Sequence, residues 1–159
     1  MTTRQSSTPL PPLGEGPADT FRAKAVGTPG YSRPLPLSPA VAHQARSLVC
    51  TALSAWGLSG LEQDGKQVVT ELVANVVRHT RCHRLTLDVE RRGEGTVRIG
   101  VADESHALPE ERASCEDDVT GRGLRIIGEL SHAWGCEKHH WGKIVWADLV
   151  ASPTTEREC

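Results

Sequence analysis

The sequence predicts an α+β fold, a two-layer sandwich in which a mixed, mainly antiparallel sheet carries its helices on one face. Three observations support this prediction. Apolar residues recur at helical spacing in three segments, apolar and other residues alternate in the segments between them, and Gly- or Pro-containing turns separate the two kinds of segment. At 159 residues, the chain has the length of one domain.

The ends of the chain differ in composition from its middle. Residues 1–30 are rich in Thr, Ser, Pro and Gly, and a segment of this kind buries too little apolar surface to order itself. We therefore expect a disordered tail at residues 1–30, within which residues 21–26 could add an edge strand. The predicted domain covers residues 31–150, and residues 151–159 are expected to form a polar tail.

The domain is expected to open with a short strand at residues 31–37, followed by a first helix. Ser38 is the predicted N-cap of that helix, Pro39 suits its first turn, and Gly57 is expected to end it. The apolar face of this helix comprises Val41, Ala45, Leu48, Val49, Ala52, Leu53 and Trp56.

The remaining elements follow in order along the chain. A second helix is predicted at about residues 61–80, and alternation at residues 85–89 and 97–101 predicts two strands joined by a turn at residues 93–95. A loop, a third helix and a terminal hairpin at about residues 134–149 complete the fold. The helical pattern of the third helix is carried by Leu124, Ile127, Gly128 and Leu130.

A polar column runs along the second helix. Glu71, Asn75 and His79 stand at i, i+4 and i+8, and each step advances about 40° past a full turn, so the three side chains lie along one side. Such a column suits Mg²⁺, which takes a few protein oxygens together with phosphate and water. A solvated helix face explains the same residues equally well. The adjoining arc, expected to face the core, consists of Val68, Val69, Leu72, Val73, Val76 and Val77.

A carboxylate ends the second of the two predicted strands. Asp103 follows the alternating residues Val97, Ile99 and Val101, where the chain enters a loop. A carboxylate at a strand end can accept a hydrogen bond from the exocyclic amine of adenine. An Asp that caps a turn through its own backbone is the more common alternative.

Two glycines stand just before the predicted third helix. Gly121 and Gly123 flank Arg122 and precede Leu124, and paired glycines there leave backbone N–H groups free to approach phosphate oxygens. A flexible turn with Thr120 near the helix start is the alternative.

In their order, these three segments resemble the GHKL (Bergerat-fold) ATP-binding superfamily, which includes gyrase and the histidine kinases. Residues 71–79 look like its N-box, Asp103 like the start of its G1 box, and residues 121–124 like its G2 box. Within the superfamily the sequence is most similar to the compact bacterial anti-sigma factors, which are serine protein kinases. The similarity spans about residues 31–150.

The resemblance implies a role for each matching residue. Glu71 would orient or deprotonate the attacking hydroxyl, and Asn75 would coordinate the Mg²⁺ that bridges the phosphates. Asp103 would bind the adenine amine, largely through its carboxylate and a water. The lid between the N-box and G2 helices would wrap the phosphates. The G2 residues implied to bind the nucleotide are Gly121, Arg122, Gly123 and Leu124, with Arg122 either meeting the terminal phosphate or pointing to solvent.

The sequence departs from the superfamily at the G1 box. The usual pattern is Asp-x-Gly-x-Gly, but Ser105 and Ala107 replace the two glycines here. Glycine permits a close backbone approach that other residues resist, so the replacement bears on nucleotide affinity. The lid, residues 104–120, is short and acidic.

The functions implied by the resemblance fall into three classes. The first is an ATP- and Mg²⁺-dependent anti-sigma factor that phosphorylates a serine of an anti-anti-sigma antagonist. It would bind a sigma factor or that antagonist in alternation, and the resemblance is compatible with a homodimer. The second is a regulator that binds ATP, or nothing, and controls a partner without phosphorylating it; the altered G1 box favours it. The third, a histidine-kinase-like catalytic domain, is disfavoured because the first helix carries only His43 near its start.

Composition argues against several other classes of function. A formal charge of −2 with scattered Lys and Arg argues against a nucleic-acid partner. The chain has no apolar run of about 18 residues, so we expect no membrane span. Its five widely spaced cysteines, without a CxxC pair, favour reduced thiols and a cytoplasmic location. A zinc site at Cys136, His139 and His140 lacks the usual close ligand pairs on both sides.

Overall fold

The computed structural model of the chain describes residues 22–23, 30–79, 82–105 and 119–152. These residues confirm the α+β class: strands and helices form two layers, with a single 3-10 turn at Ser59–Leu61 between the first two helices. The elements are β1 (Arg22–Ala23), β2 (Gly30–Pro36), α1 (Val41–Ala55), α2 (Glu62–His79), β3 (Arg84–Arg91), β4 (Thr96–Asp103), α3 (Val119–Leu130), β5 (Ala133–His139) and β6 (Gly142–Val150).

The described strands form one six-stranded sheet in the order β1-β2-β3-β4-β6-β5. Every strand pair among the described residues is antiparallel, rather than mixed as expected from the sequence. Two of the pairs, β3–β4 and β5–β6, are hairpins of consecutive strands, a connection that requires antiparallel pairing. Strand β6 lies between β4 and β5, so that β4 and β6 become neighbours although α3 and β5 separate them in the chain.

The core lies between the helices and one face of the sheet. The strand residues that face it alternate, as in β4, where Val97, Ile99 and Val101 are at most 1% exposed. Helices α1 and α2 each contribute five residues to the core, and α2 contacts α1, α3 and the central strands. The helical core residues are Val41, Ala45, Val49, Ala52, Leu53, Val68, Val69, Leu72, Val73, Val76, Leu124 and Ile127.

Helix α1 begins later than predicted and ends where predicted. The Ser38 hydroxyl accepts a hydrogen bond from the Ala40 N–H at 3.1 Å, so Ser38 caps a turn that precedes the helix, and the helix itself begins at Val41. At the other end, Gly57 has a φ of 73°. Glycine adopts this left-handed conformation without the strain that a Cβ would cause, which explains why it terminates the helix.

Helix α2 buries its predicted arc except at one position. Val77, predicted to face the core, is 52% exposed. Residues four apart advance about 40° past a full turn, so the row Val69, Val73 and Val77 drifts away from the core and leaves it in the last turn. None of the helices in the described residues is both long and apolar enough to span a membrane.

The second face of the sheet carries an ion pair stacked on an aromatic ring. Arg98 on β4 donates from Nε and Nη2 to the two carboxylate oxygens of Asp148 at 2.6 and 2.9 Å, and its guanidinium lies 3.7 Å from the centre of the Trp146 ring. The hydrogen bonds to Asp148 raise the pKa of Arg98 further above its already high ordinary value. The cation is therefore permanent, and it orders this face of the central strands.

Candidate functional site

Asn75 carries a buried amide without a hydrogen-bond partner among the described residues. It lies on α2 next to the buried Val76 and is 7% exposed. Both Oδ1 and Nδ2 are buried, and neither has a hydrogen-bond partner among the described residues. Buried polar groups are nearly always paired because an unpaired one loses its hydrogen bonds to water without replacement. The orphaned oxygen fits the predicted Mg²⁺ role, since an amide oxygen is a ligand that this cation accepts.

Glu71 lies one helical turn before Asn75 and faces helix α3. The residue is half-buried, and a Cβ built at Gly123 would stand only 2.8 Å from its Oε1 atom. Glycine at position 123 therefore lets the backbone of α3 approach the Glu71 carboxylate. The structure thus brings together the predicted base of the N-box and the second glycine of the G2 segment. The side chain of His79, the last member of the polar column, lies outside the described part.

The G2 glycines do not precede the third helix, as predicted, but lie inside it. Helix α3 begins at Val119, so Gly121 and Gly123 occupy its first two turns. Two glycines disfavour a helix intrinsically. Burial of Leu124 and Ile127 against α2 and the sheet outweighs that preference, because both side chains are 0% exposed.

This helix start changes what the G2 residues can offer a ligand. The first-turn N–H groups of α3 have no partner within the helix, so Gly121 still brings a backbone donor to this end. The Leu124 side chain is fully buried in the core, so a contact from Leu124 to a nucleotide would come from its backbone. The side chains of Thr120 and Arg122 lie outside the described part, and the two alternatives for Arg122 stay open.

Asp103 stands at the end of β4, as predicted, but its carboxylate is already engaged. It is 2% exposed, and its Oδ1 accepts a hydrogen bond from the Ser105 N–H at 2.7 Å. The turn-capping Asp, which the sequence left open as an alternative, is therefore present. Its two oxygens also accept from Lys143 Nζ at 3.0 and 3.1 Å. Asp103 is not a hydrogen-bond partner of Asn75, whose amide has none among the described residues.

Lys143 is the site residue that the sequence reasoning missed. It is 5% exposed and lies directly opposite Asp103 in the β4–β6 ladder. Position 143 is in phase with Val145, Ala147 and Leu149, which fill the core face of β6. That alternation was visible in the sequence and would have marked Lys143 as a buried cation in need of a carboxylate.

Gly142 allows β6 to start against the end of β4. Its φ is 154°, and a Cβ there would collide with the carbonyl oxygen of Asp103 and stand 2.7 Å from the Cα of Glu104. Only a residue without a side chain permits this contact. The hairpin turn before Gly142 therefore borders the loop that follows Asp103. Most of the predicted lid, from His106 to Asp118, lies outside the described residues.

The described residues contain no cluster of three His, Cys, Asp or Glu side chains arranged to bind a metal ion. Cys136, considered for zinc from the sequence, is a free thiol on β5. Burial raises the pKa of Cys136, so the thiol is protonated at neutral pH and is a poor metal ligand in that form. His139 instead stacks on Trp141 in the hairpin turn, with 4.8 Å between ring centres.

Comparison with known proteins identifies the family of this domain. A family model described as a histidine kinase-like ATPase domain matches residues 35–148. The match begins in β2 and ends in β6, so it includes all three helices and every candidate site residue. No curated protein matches the chain significantly.

Proposed function

The chain belongs to the histidine kinase-like ATPase domain family, and we propose that it is an ATP-binding anti-sigma factor with serine/threonine protein kinase activity toward an anti-anti-sigma antagonist. Family membership supports an ATP-binding regulatory function. The finer parts of the proposal are the kinase activity, the sigma factor and antagonist as partners, and a cytoplasmic location. A homodimeric form is part of the same proposal.

The observation that carries nucleotide binding is the unpaired amide of Asn75. Its buried oxygen has no partner in the described residues, and it lies on the helix that the resemblance identifies as the N-box. The chemistry that Mg²⁺ would supply there is neutralisation of phosphate charge. In this proposal Asn75 holds that ion from the protein side, and the backbone of the first turn of α3 binds phosphate oxygens.

In this proposal Glu71 has the role of acting on the attacking hydroxyl. It lies one turn before Asn75, and its carboxylate lies against Gly123 near the start of α3. A carboxylate there can accept the proton of a substrate serine and orient its oxygen. In phosphoryl transfer, the protein contributes mainly by positioning the reactants and by stabilising the developing charge.

A second candidate function is a regulator that binds its partner without phosphorylating it. One observation favours it. The Asp103 carboxylate, which should receive the adenine amine, already accepts three hydrogen bonds, from Ser105 N–H and from Lys143 Nζ to each oxygen. The two missing G1 glycines favour it as well.

Transfer of labelled phosphate separates the two candidates. The chain would be incubated with Mg²⁺, γ-labelled ATP and purified anti-anti-sigma proteins, beside Glu71→Ala and the control Glu62→Ala in the first turn of α2. We expect label on an antagonist serine from the parent and the control, and a loss of about 10²-fold or more in Glu71→Ala with ATP binding retained.

Each other result has a distinct meaning. Unchanged transfer by Glu71→Ala would remove Glu71 from the role of base. ATP binding by the parent without transfer to any antagonist would favour the non-catalytic regulator. Acid-labile label would point to a phosphohistidine and thus to the histidine-kinase alternative.

A further inference from the structure

We propose that Lys143 widens the base specificity of the nucleotide site, so that it accepts purines with a carbonyl at C6 as well as purines with an amine there. The inference rests on the proposed function, in which Asp103 lies at the base end of the site. Lys143 is then a specificity-determining residue. The ligand class becomes purine nucleoside triphosphates with a 6-amino or a 6-oxo group.

The geometry of the pair carries the first step. Asp103 is the last inward-facing residue of β4, Lys143 is the first of β6, and the two are directly opposite in the ladder. Their side chains are 0% and 6% exposed, and the ammonium lies almost equally far from the two carboxylate oxygens, at 3.0 and 3.1 Å. A cation and an anion therefore lie side by side, both buried, at one point of the core face.

The hydrogen-bonding capacity that remains carries the second step. A lysine ammonium has three donors, and Asp103 accounts for two of them in the described residues. Asp103 Oδ2 accepts only from Lys143 among the described residues and retains a lone pair. The pair can thus still offer one donor and one acceptor without being broken.

The chemistry of purine edges carries the third step. A carboxylate without a cation offers only acceptors, so it favours the 6-amino group of adenine and repels a carbonyl oxygen at that position. The Asp–Lys pair offers both functions. Adenine can donate from its amine to the carboxylate and accept at N1 from the ammonium, whereas hypoxanthine can accept at O6 from the ammonium and donate from N1 to the carboxylate.

The test compares two nucleotides that differ only at this edge. Mg·ATP and Mg·ITP would be titrated calorimetrically into the parent, into Lys143→Met, and into the control Lys138→Met, which removes an exposed ammonium opposite Lys143 on β5. We expect the parent and the control to bind both nucleotides with dissociation constants within about threefold. In Lys143→Met, ATP should be preferred by about tenfold or more, because a buried carboxylate then faces the carbonyl of ITP.

Three results would overturn the proposal. The first is a preference of the parent for ATP above about tenfold, which needs no variant and stands even if Lys143→Met does not fold. The second is an unchanged ratio in a folded Lys143→Met. The third is ATP binding by Lys143→Met with no nucleotide binding by the parent, because the ammonium would then block the base.

Titration of Mg·tripolyphosphate separates a failure at the base end from a failure of the proposed function. This probe has no base and depends on the Asn75 end alone. Tripolyphosphate binding with either of the first two results would overturn the base inference and keep the nucleotide site. If the parent and the variants bind neither tripolyphosphate nor any nucleotide, both the inference and the proposed function fail.

Discussion

At the scale of single residues, the described interior holds three buried polar side chains in two different states. Asp103 and Lys143 form a direct ion pair, whereas Asn75 has no hydrogen-bond partner in the described part of the chain. An unpaired buried amide costs about 1–3 kcal/mol of folding free energy. Breaking the ion pair from one side costs about 3–5 kcal/mol. Removing either partner of the pair therefore costs stability, whereas the amide lowers stability unless a ligand binds it.

Asn75→Ala should stabilise the ligand-free protein. The substitution removes an unsatisfied buried amide and introduces a better helix former, so we expect a gain of about 1 kcal/mol, or a rise in Tm of about 3 °C. The control is Thr70→Ala on the same helix, whose hydroxyl donates to Lys66 O at 2.7 Å and accepts from Arg46 at 3.1 Å. Thermal unfolding should show a loss in that control. A comparable loss in Asn75→Ala would show that the amide has a structural partner.

At the scale of elements, helix and strand positions were predictable and their exact ends were not. The period of apolar residues located α1, α2 and α3, and alternation located β3 and β4, because burial sets both patterns. The sequence predicted that α3 starts after Gly121 and Gly123, because glycine has a low helix propensity, but the helix begins at Val119. Packing of α3 on α2, which local sequence does not reveal, continues the helix through both glycines.

Gly123→Ala should reduce phosphoryl transfer while leaving the stability of α3 nearly unchanged. The new Cβ would meet Glu71 Oε1 at 2.8 Å and displace the carboxylate, so we expect phosphoryl transfer to fall by about tenfold to 10²-fold. Unfolding free energy should change by less than about 1 kcal/mol, since a flexible carboxylate can move and Ala favours the helix.

The matched control for this prediction is Gly128→Ala on the same helix. A Cβ there would lie 3.4 Å from Trp134 Nε1 and would not approach Glu71. This variant should gain about the same helix propensity and keep its transfer rate. Equal transfer rates in the two variants would contradict the importance of the Glu71–Gly123 contact.

At the scale of the whole molecule, the fold class was predictable and the base end of the site was not. The three motifs in their order indicated the family, whose match covers residues 35–148. The Asp103–Lys143 pair depends on the register of β4 and β6, which are separated in the chain by α3 and β5. Sequence patterns indicate which face a residue occupies, but not which residue stands opposite it across a non-local ladder.

Calorimetric titration of Mg·ATP into the full chain, with Asn75→Ala and the control Thr70→Ala beside it, tests nucleotide binding most directly. We predict that the parent and Thr70→Ala bind ATP, that chelation of Mg²⁺ weakens this binding, and that Asn75→Ala has lost the Mg²⁺-dependent part. Absence of ATP binding by the parent, or equal Mg²⁺-dependent affinities in the parent and Asn75→Ala, would contradict a nucleotide site built on this helix.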